Sequence, residues 1–173
     1  DVESRIIERC FSSTLKYFPL MIGCLEDYIP NGKFPLFTNT DRPFVLVGNS
    51  AYPSNNHLEA FEIISSSSEL KDKKILVPLS YGDMQYASYV EEFGIKRFGR
   101  RFVSLRKFLP LQEYLDLLGK CEFSIMNQYR QQALGNIIAL LYMGVTVYFS
   151  SQSLVLEELR SHGVDVHSLE DGD

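Results

Sequence analysis

The stretch FVLVGNSAYPSNNHLEAF, residues 44–61, combines a short apolar run, a polar loop and the start of a helical pattern. The run Phe44–Val47 predicts a strand that is buried on both faces. The loop that follows is rich in hydrogen-bonding groups and carries no charge before His57. A strand, a loop and a helix in this order predict the first unit of an α/β fold.

The same alternation continues along the rest of the chain. The predicted strands are Phe44–Val47, Ile75–Leu79, Phe102–Leu105, Phe123–Met126, Val145–Phe149 and a weak Val164–Val166. The predicted helices are Asn56–Ser65, Met84–Phe93, Pro110–Gly119, Arg130–Met143 and Gln152–His162. Pro110 suits a first helical turn, while Gly144 and Gly163 suit helix C-termini. We therefore predict a doubly wound, Rossmann-like α/β domain with right-handed crossovers.

Two regions differ in their pattern. Residues 1–42 are interpreted as a helical lead-in and linker, because helical spacing of apolar residues from Ile6 to Met21 is followed by Pro30, Gly32 and Pro35. Residues 43–173 are interpreted as the α/β domain. Since the chain starts at Asp1 within a helical pattern, we expect a processed form or a fragment of a longer protein.

Composition limits the class of protein. Of the 173 residues, 45% are hydrophobic, which predicts one globular core. The net charge of −5 argues against a nucleic acid partner. The three cysteines lack CxxC spacing, so we expect neither a disulfide framework nor a zinc site, and a reducing cytoplasm. The apolar stretch 17–25 is too short to span a membrane. A basic cluster between Lys96 and Lys107 could face phosphates or form a solvated surface.

In doubly wound sheets, ligands bind beyond the carboxyl ends of the strands. The loop after the first strand offers Gly48, Asn49, Ser50 and Asn55 before a helix N-terminus, a combination that favours an anion such as a phosphate. The alternative is a capping loop, in which Ser54 or Asn55 caps the helix. Neither GxxxxGK[ST] nor GxGxxG is present, which argues against a mononucleotide kinase and a dinucleotide-dependent dehydrogenase or epimerase.

Three further groups of residues follow strands or begin helices. Tyr81 and Gly82 follow the second strand, where the tyrosine could contact a ligand or lie half-buried under the turn. Arg130, Gln131 and Gln132 are predicted to open a helix after the fourth strand. His57 could donate to a phosphate or sugar, or be an exposed residue at the helix start without a role. HExxH, GxSxG and DxD patterns are absent, so metal-dependent chemistry has no support.

The segments LVGNSAYPSNNHLEAF, VPLSYGDMQYASYVEEFG and LQEYLDLLGKCEFSIMNQYRQQALGNIIALLYMGVTVYF occur here in this order. They resemble the bacterial TDP-N-acetylfucosamine:lipid II N-acetylfucosaminyltransferases, also called 4-alpha-L-fucosyltransferases (glycosyltransferase family 56). The resemblance covers roughly residues 43–150. Its most specific parts are the GNS…SN.H loop and the RQQ…G segment.

The resemblance implies the C-terminal, donor-binding half of a GT-B glycosyltransferase. Such an enzyme transfers an N-acetylfucosamine-type sugar from dTDP to a lipid-linked saccharide, here in the synthesis of a surface polysaccharide such as enterobacterial common antigen. It acts as a peripheral protein at the cytoplasmic face of the bacterial inner membrane, without a cofactor or metal. The resemblance implies that the substrate-binding residues are Gly48, Asn49, Ser50, Asn55, His57, Tyr81, Gly82, Arg130, Gln131, Gln132 and Asn136.

One position departs from the GT-B pattern. Many of these enzymes bind the ribose with a glutamate five residues before the glycine that precedes the last core strand, and here that position is Ala139. The ribose contact then falls to another group, for example Asn136. No catalytic base is identified, and the chain alone is expected to bind the donor without transferring sugar. The alternative function is a non-catalytic module that binds a nucleotide sugar.

Overall fold

Six parallel strands form one sheet in the part of the chain that the structure describes, which is residues 2–11 and 42–171 of a computed structural model. The strands are β1 (Phe44–Val47), β2 (Lys74–Pro78), β3 (Phe102–Leu105), β4 (Cys121–Met126), β5 (Thr146–Phe149) and β6 (His167–Ser168). Their order is β3-β2-β1-β4-β5-β6, and all neighbouring pairs are parallel. This topology confirms the predicted Rossmann-like α/β fold.

Helices connect the strands and pack on both faces of the sheet. They are α1 (Val2–Phe11), α2 (His57–Ser66), α3 (Met84–Phe98), α4 (Leu111–Leu118), α5 (Leu134–Tyr142) and α6 (Leu154–Ser161). Gly144 and Gly163 follow α5 and α6 with φ of 70° and 75°, as expected for helix C-termini. Pro110 lies immediately before α4.

Successive residues of the central strands pack into two separate cores. On β1, Leu46 contributes to one core, whereas Val45 and Val47 contribute to the other. Residues of α4, α5 and α6 complete the first core, and residues of α2 and α3 complete the second. Because neither side of β1 faces water, its sequence is a continuous apolar run instead of an alternating one.

The N-terminal helix lies against α6. The backbone N–H of Val2 donates to the carboxylate of Glu158 at 3.0 Å, and the Arg5 guanidinium lies 3.5 Å from the carboxylate of Glu157. The rest of the helical pattern to Met21, and the linker with its prolines, lie outside the described residues. Within residues 2–11 and 42–171, no helix has the length and apolar character needed to cross a bilayer.

Three predicted elements differ from the structure by three or more residues at one end. Helix α3 continues to Phe98, five residues beyond its predicted end at Phe93. The last strand begins at His167, not at Val164, because the backbone of Val164 bonds to Leu159 and the carbonyl of Val166 accepts from Arg160, which ties this segment to α6. Helix α5 begins at Leu134, not at Arg130. Ala133 has a φ of 62°, and this left-handed conformation separates the three preceding polar residues from the helix.

Candidate functional site

The order of the strands reverses between β1 and β4, and polar loops follow both strands at this point. The loop after β1 covers residues 48–56, and the loop after β4 covers residues 127–133. In doubly wound sheets, the crevice at such a reversal is the usual ligand site. The predicted phosphate-binding loop and the RQQ segment therefore lie on either side of the same crevice.

Gly48 begins the first loop and has a structural reason to be glycine. Its φ is 63°, and its N–H donates to the carbonyl of Ile125 at 3.0 Å. A Cβ at this position would lie 2.9 Å from Oδ1 of Asn55 and 3.0 Å from Nε2 of His57. The space that a side chain would need is thus filled from within the protein, not left open for a ligand.

Asn55 is the centre of the first loop and is fully buried. Its Nδ2 group donates to the carbonyl oxygens of Ser50 and Tyr52 at 3.0 and 3.2 Å, and to the Ser50 hydroxyl at 3.2 Å. Its Oδ1 atom accepts the backbone N–H of Asn49 at 3.2 Å. Asn55 therefore fixes the loop and does not cap the helix, so the capping interpretation is wrong. The residue that precedes α2 is Asn56, which makes no side-chain capping bond.

Gln132 joins the second loop to the first. Its Nε2 group donates to Oδ1 of Asn55 at 3.1 Å and, more weakly, to Oδ1 of Asn49 at 3.4 Å. Its Oε1 atom accepts from the Ser54 hydroxyl at 3.2 Å and from Nε of Arg130 at 2.9 Å. We call Asn49, Asn55 and Gln132 the amide cluster. It places the exposed guanidinium of Arg130 at the rim of the crevice.

Tyr81 and Gly82 bring the loop after β2 to the same edge. The Tyr81 hydroxyl accepts from Nδ2 of Asn49 at 2.9 Å, and Gly82 forms a parallel bridge with Ala51. Asp83 then caps α3 by accepting the N–H groups of Gln85 and Tyr86 at 2.8 and 3.1 Å. The carboxylate of Asp83 therefore has a structural partner at the helix terminus.

A cavity of about 250 Å³ lies beside the amide cluster, between the carboxyl ends of β2 and β3 and the helices α4 and α5. Its polar and aromatic lining consists of Asn49, Ser80, Tyr81, Lys107, Phe108, Tyr114 and Asn136. The rings of Tyr81 and Phe108 stack with centroids 5.8 Å apart, and Nδ2 of Asn136 donates to the Tyr114 hydroxyl at 3.0 Å. We call it the β2–β3 cavity. Asn136 thus belongs to this cavity and not to the rim around Arg130, and Ala139 lies in the core.

His57 is buried, with no exposed side-chain surface, and not exposed at the helix start as the sequence suggested. Burial lowers the pKa of its imidazole from 6.5 to about 4, so the ring is neutral at physiological pH. Its Nδ1 atom lies 3.2 Å from the Tyr86 hydroxyl, and Nε2 has no hydrogen-bond partner among the described residues. The imidazole ring packs against Gly48 inside the protein and does not line the crevice.

Gln131 is not brought to the amide cluster, although it is next to Gln132 in sequence. It lines a separate cavity between α1, α5 and α6, together with Val2, Leu134 and Glu158. Ser50 is buried and contacts Asn55. The structure therefore groups Gly48, Asn49, Ser50, Asn55, Tyr81, Gly82, Arg130 and Gln132 around the crevice, with Asn136 in the adjoining cavity, His57 beneath the loop and Gln131 elsewhere.

Three arginines of the basic cluster bond within the domain. Arg97 pairs with Glu62 at 2.6 Å, Arg106 lies 3.8 Å from Glu91, and Arg101 donates to backbone carbonyls. Lys107 lines the β2–β3 cavity. The sequence indicated Lys107 only as part of the basic cluster and did not indicate Phe108 or Tyr114 as site residues. Lys107 and Phe108 follow β3, whose carboxyl end lies at the same sheet edge, and that position was the available signal.

Comparison with known proteins gives a family and a fold. Residues 9–172 match the family model described as 4-alpha-L-fucosyltransferase glycosyl transferase group 56, a longer span than the segments that carry the resemblance. The chain is also similar to the Candida albicans trehalose-6-phosphate phosphatase N-terminal domain, with a TM-score of 0.55 and 11% identity. That match covers 74% of this chain and 31% of the other, and at this identity it concerns the fold alone.

Proposed function

Because the chain belongs to the 4-alpha-L-fucosyltransferase family, glycosyl transferase group 56, we propose that it binds the nucleotide-sugar donor at the crevice between β1 and β4. The observation that carries this proposal is the amide cluster, which joins the loops after these two strands. The cluster holds two separate chain segments in a fixed position around one crevice. Preorganised backbone and side-chain dipoles of this kind suit a ligand with a concentrated negative charge.

The charge that fits this crevice is the diphosphate of the donor. Helices α2 and α5 both begin here, and neither has a side-chain capping bond from the described residues. Their first N–H groups and dipoles favour an anion. Arg130 adds a cation at the rim, where Gln132 orients it. These groups stabilise the negative charge that develops on the departing nucleoside diphosphate.

We assign the nucleotide to the dTDP class and the sugar to an N-acetylfucosamine type, with a lipid-linked saccharide as acceptor. Support comes from the GNS…SN.H and RQQ…G segments, which carry the resemblance and supply Gly48, Asn49, Ser50, Asn55, Arg130 and Gln132 to the crevice. In this proposal the domain is the C-terminal half of a GT-B enzyme that works peripherally at the inner membrane. The acceptor site then lies in an N-terminal domain across the crevice.

The catalytic base is also assigned to that N-terminal domain. A general base must reach the acceptor hydroxyl within hydrogen-bond distance. The His57 ring is buried, and the Asp83 carboxylate accepts from backbone N–H groups of α3. Neither side chain is therefore placed to deprotonate an acceptor. The chain by itself then binds the donor without sustained transfer.

Titration calorimetry with dTDP, UDP and GDP tests the proposed function. We expect dTDP to bind at least tenfold more tightly than GDP, because the segments around the crevice resemble those of transferases that use a dTDP-sugar. EDTA is expected to leave the dTDP affinity within about twofold, since the helix termini and Arg130 supply the positive charge. No binding of any nucleoside diphosphate would contradict the proposal, and loss of binding in EDTA would contradict its metal-free form.

Two neighbouring glutamines provide a matched pair of variants. Gln132→Ala removes the bonds from this side chain to Asn55 and Arg130, so we expect the Kd for dTDP to rise at least tenfold, which corresponds to about 1.4 kcal/mol. Gln131→Ala changes the same side chain one position away, in a different cavity, and is expected to keep the wild-type Kd. An equal rise in the Kd for dTDP in both variants would mean that Gln131 also contacts the donor.

A further inference from the structure

We propose that the β2–β3 cavity binds the base of the donor and that Tyr114 and Asn136 select a pyrimidine with an imide edge, as in thymine and uracil. This inference rests on the proposed function, since it concerns the nucleoside of the same donor. It adds Phe108 and Tyr114, which are not among the site residues predicted from the sequence, and it gives Asn136 a role in the choice of base.

The first argument is the position of the cavity relative to the crevice. Asn49 lines the cavity, and its amide also connects Tyr81 with the amide cluster. A nucleoside in the cavity would therefore continue directly into a diphosphate at the crevice. Lys107 adds a cation to the lining of the cavity.

The second argument is the aromatic wall. Phe108 is 75% exposed, yet its ring stacks on Tyr81 at 5.8 Å with an interplanar angle of 22°. The Tyr81 ring is held in turn by the bond between its hydroxyl and Asn49. A flat ring pair beside a cavity offers a surface on which a base can stack, and stacking accepts any base. The wall accounts for binding of a base and not for its identity.

The third argument is the polar pair that can identify the base. Because Nδ2 of Asn136 donates to the Tyr114 hydroxyl at 3.0 Å, the tyrosine keeps its own proton for donation. Oδ1 of Asn136 remains as an acceptor. Burial raises the pKa of Tyr114, so the phenol stays protonated. A donor beside an acceptor complements the adjacent carbonyl and N3–H of thymine or uracil, whereas cytosine offers an amino group and an unprotonated N3.

The size of the cavity limits it to part of the donor. At about 250 Å³ it lies below the ~300–1,000 Å³ typical of small-molecule sites, so it takes only part of a nucleotide sugar. Pro78, Leu105, Leu109 and Leu111 supply the apolar part of the lining. Guanine carries the same donor and acceptor pattern as thymine, so the polar pair separates thymine and uracil from cytosine and not from guanine.

The test measures Kd values of dTDP, CDP and inorganic pyrophosphate for the wild type, Tyr114→Phe, Asn136→Leu and Phe108→Ala. Tyr114→Phe and Asn136→Leu should reduce the preference for dTDP over CDP at least tenfold. Phe108→Ala should weaken both nucleotides at least tenfold and leave their ratio unchanged. Pyrophosphate should bind all four proteins equally. Tyr89→Phe, on an exposed ring of α3, is the control for loss of a tyrosine hydroxyl and should match the wild type.

The outcomes separate this inference from the proposed function. If dTDP binds the wild type and Gln132→Ala loses it, while the three cavity variants keep wild-type Kd values, the inference is overturned and the donor site remains. If neither dTDP nor pyrophosphate binds the wild type, both are overturned. Phe108 is exposed, so its substitution leaves the core intact and still tests base binding in the cavity if Tyr114→Phe or Asn136→Leu fails to fold. Wild-type Kd values for dTDP and CDP in Phe108→Ala alone would overturn the inference.

Discussion

An Asn55→Ala variant is expected to unfold at a much lower urea concentration than the wild type and to lose measurable dTDP binding. Alanine leaves the buried carbonyl of Ser50 and the N–H of Asn49 without their side-chain partner, whereas the Tyr52 carbonyl keeps its bond to the backbone N–H of residue 55. Each buried polar group without a hydrogen bond costs about 1–3 kcal/mol. We therefore expect the free energy of unfolding to fall by about 3 kcal/mol or more.

The control for this variant removes a side-chain amide that does not bond to a loop. Gln112 is exposed on α4, and its Nε2 group donates to the carboxylate of Asp116 at 2.9 Å. Gln112→Ala should change the unfolding free energy by no more than about 0.5 kcal/mol. Wild-type stability and dTDP affinity in Asn55→Ala would mean that the loop does not depend on its central amide, and the amide cluster would no longer support the proposed site.

The free energy of unfolding is expected to decrease as the pH is lowered, because His57 is buried. The pKa of the imidazole is 6.5 when the chain is unfolded and about 4 when it is folded, so between these values the unfolded chain binds a proton that the folded protein does not. This group should lower the free energy of unfolding by about 2 kcal/mol between pH 7.5 and pH 5. Urea unfolding at both pH values measures the change.

Comparison with two histidine variants isolates this effect. His57→Gln removes the titrating group, so its unfolding free energy should lose about 2 kcal/mol less than the wild type over the same pH interval. His162→Gln, whose side chain is 68% exposed in the wild type, should retain the full wild-type dependence. An identical pH dependence in the wild type and His57→Gln would show that the buried imidazole does not contribute. Each variant is compared by the change in its free energy of unfolding between pH 7.5 and pH 5. The comparison therefore holds even if His57→Gln is less stable than the wild type at both pH values.

Local sequence was sufficient for the first five strands and for the class of fold. The predicted runs Phe44–Val47 and Phe102–Leu105 match their strands residue for residue. The pattern is clearest in β1, because burial on both faces requires apolar side chains at every position. The polar loop after β1 was also identifiable, since parallel strands present their carboxyl ends at one edge. Even in this loop, the sequence could not show whether Asn55 caps the helix or bonds to the backbone of the loop, because asparagine side chains do both.

Contacts between distant segments decided the rest of the site. Arg130, Gln131 and Gln132 have ordinary helix propensity, yet Gln132 lies in a loop because its amide bonds to Asn55, 77 residues earlier. The same long-range packing buries His57 and aligns Asn136 with Tyr114, 22 residues apart. The sequence by itself thus determined the doubly wound sheet and the edge at which the ligand site is proposed. Only the tertiary structure decided which side chains meet there, because hydrogen bonds and burial between remote segments outweigh the preferences of any single one.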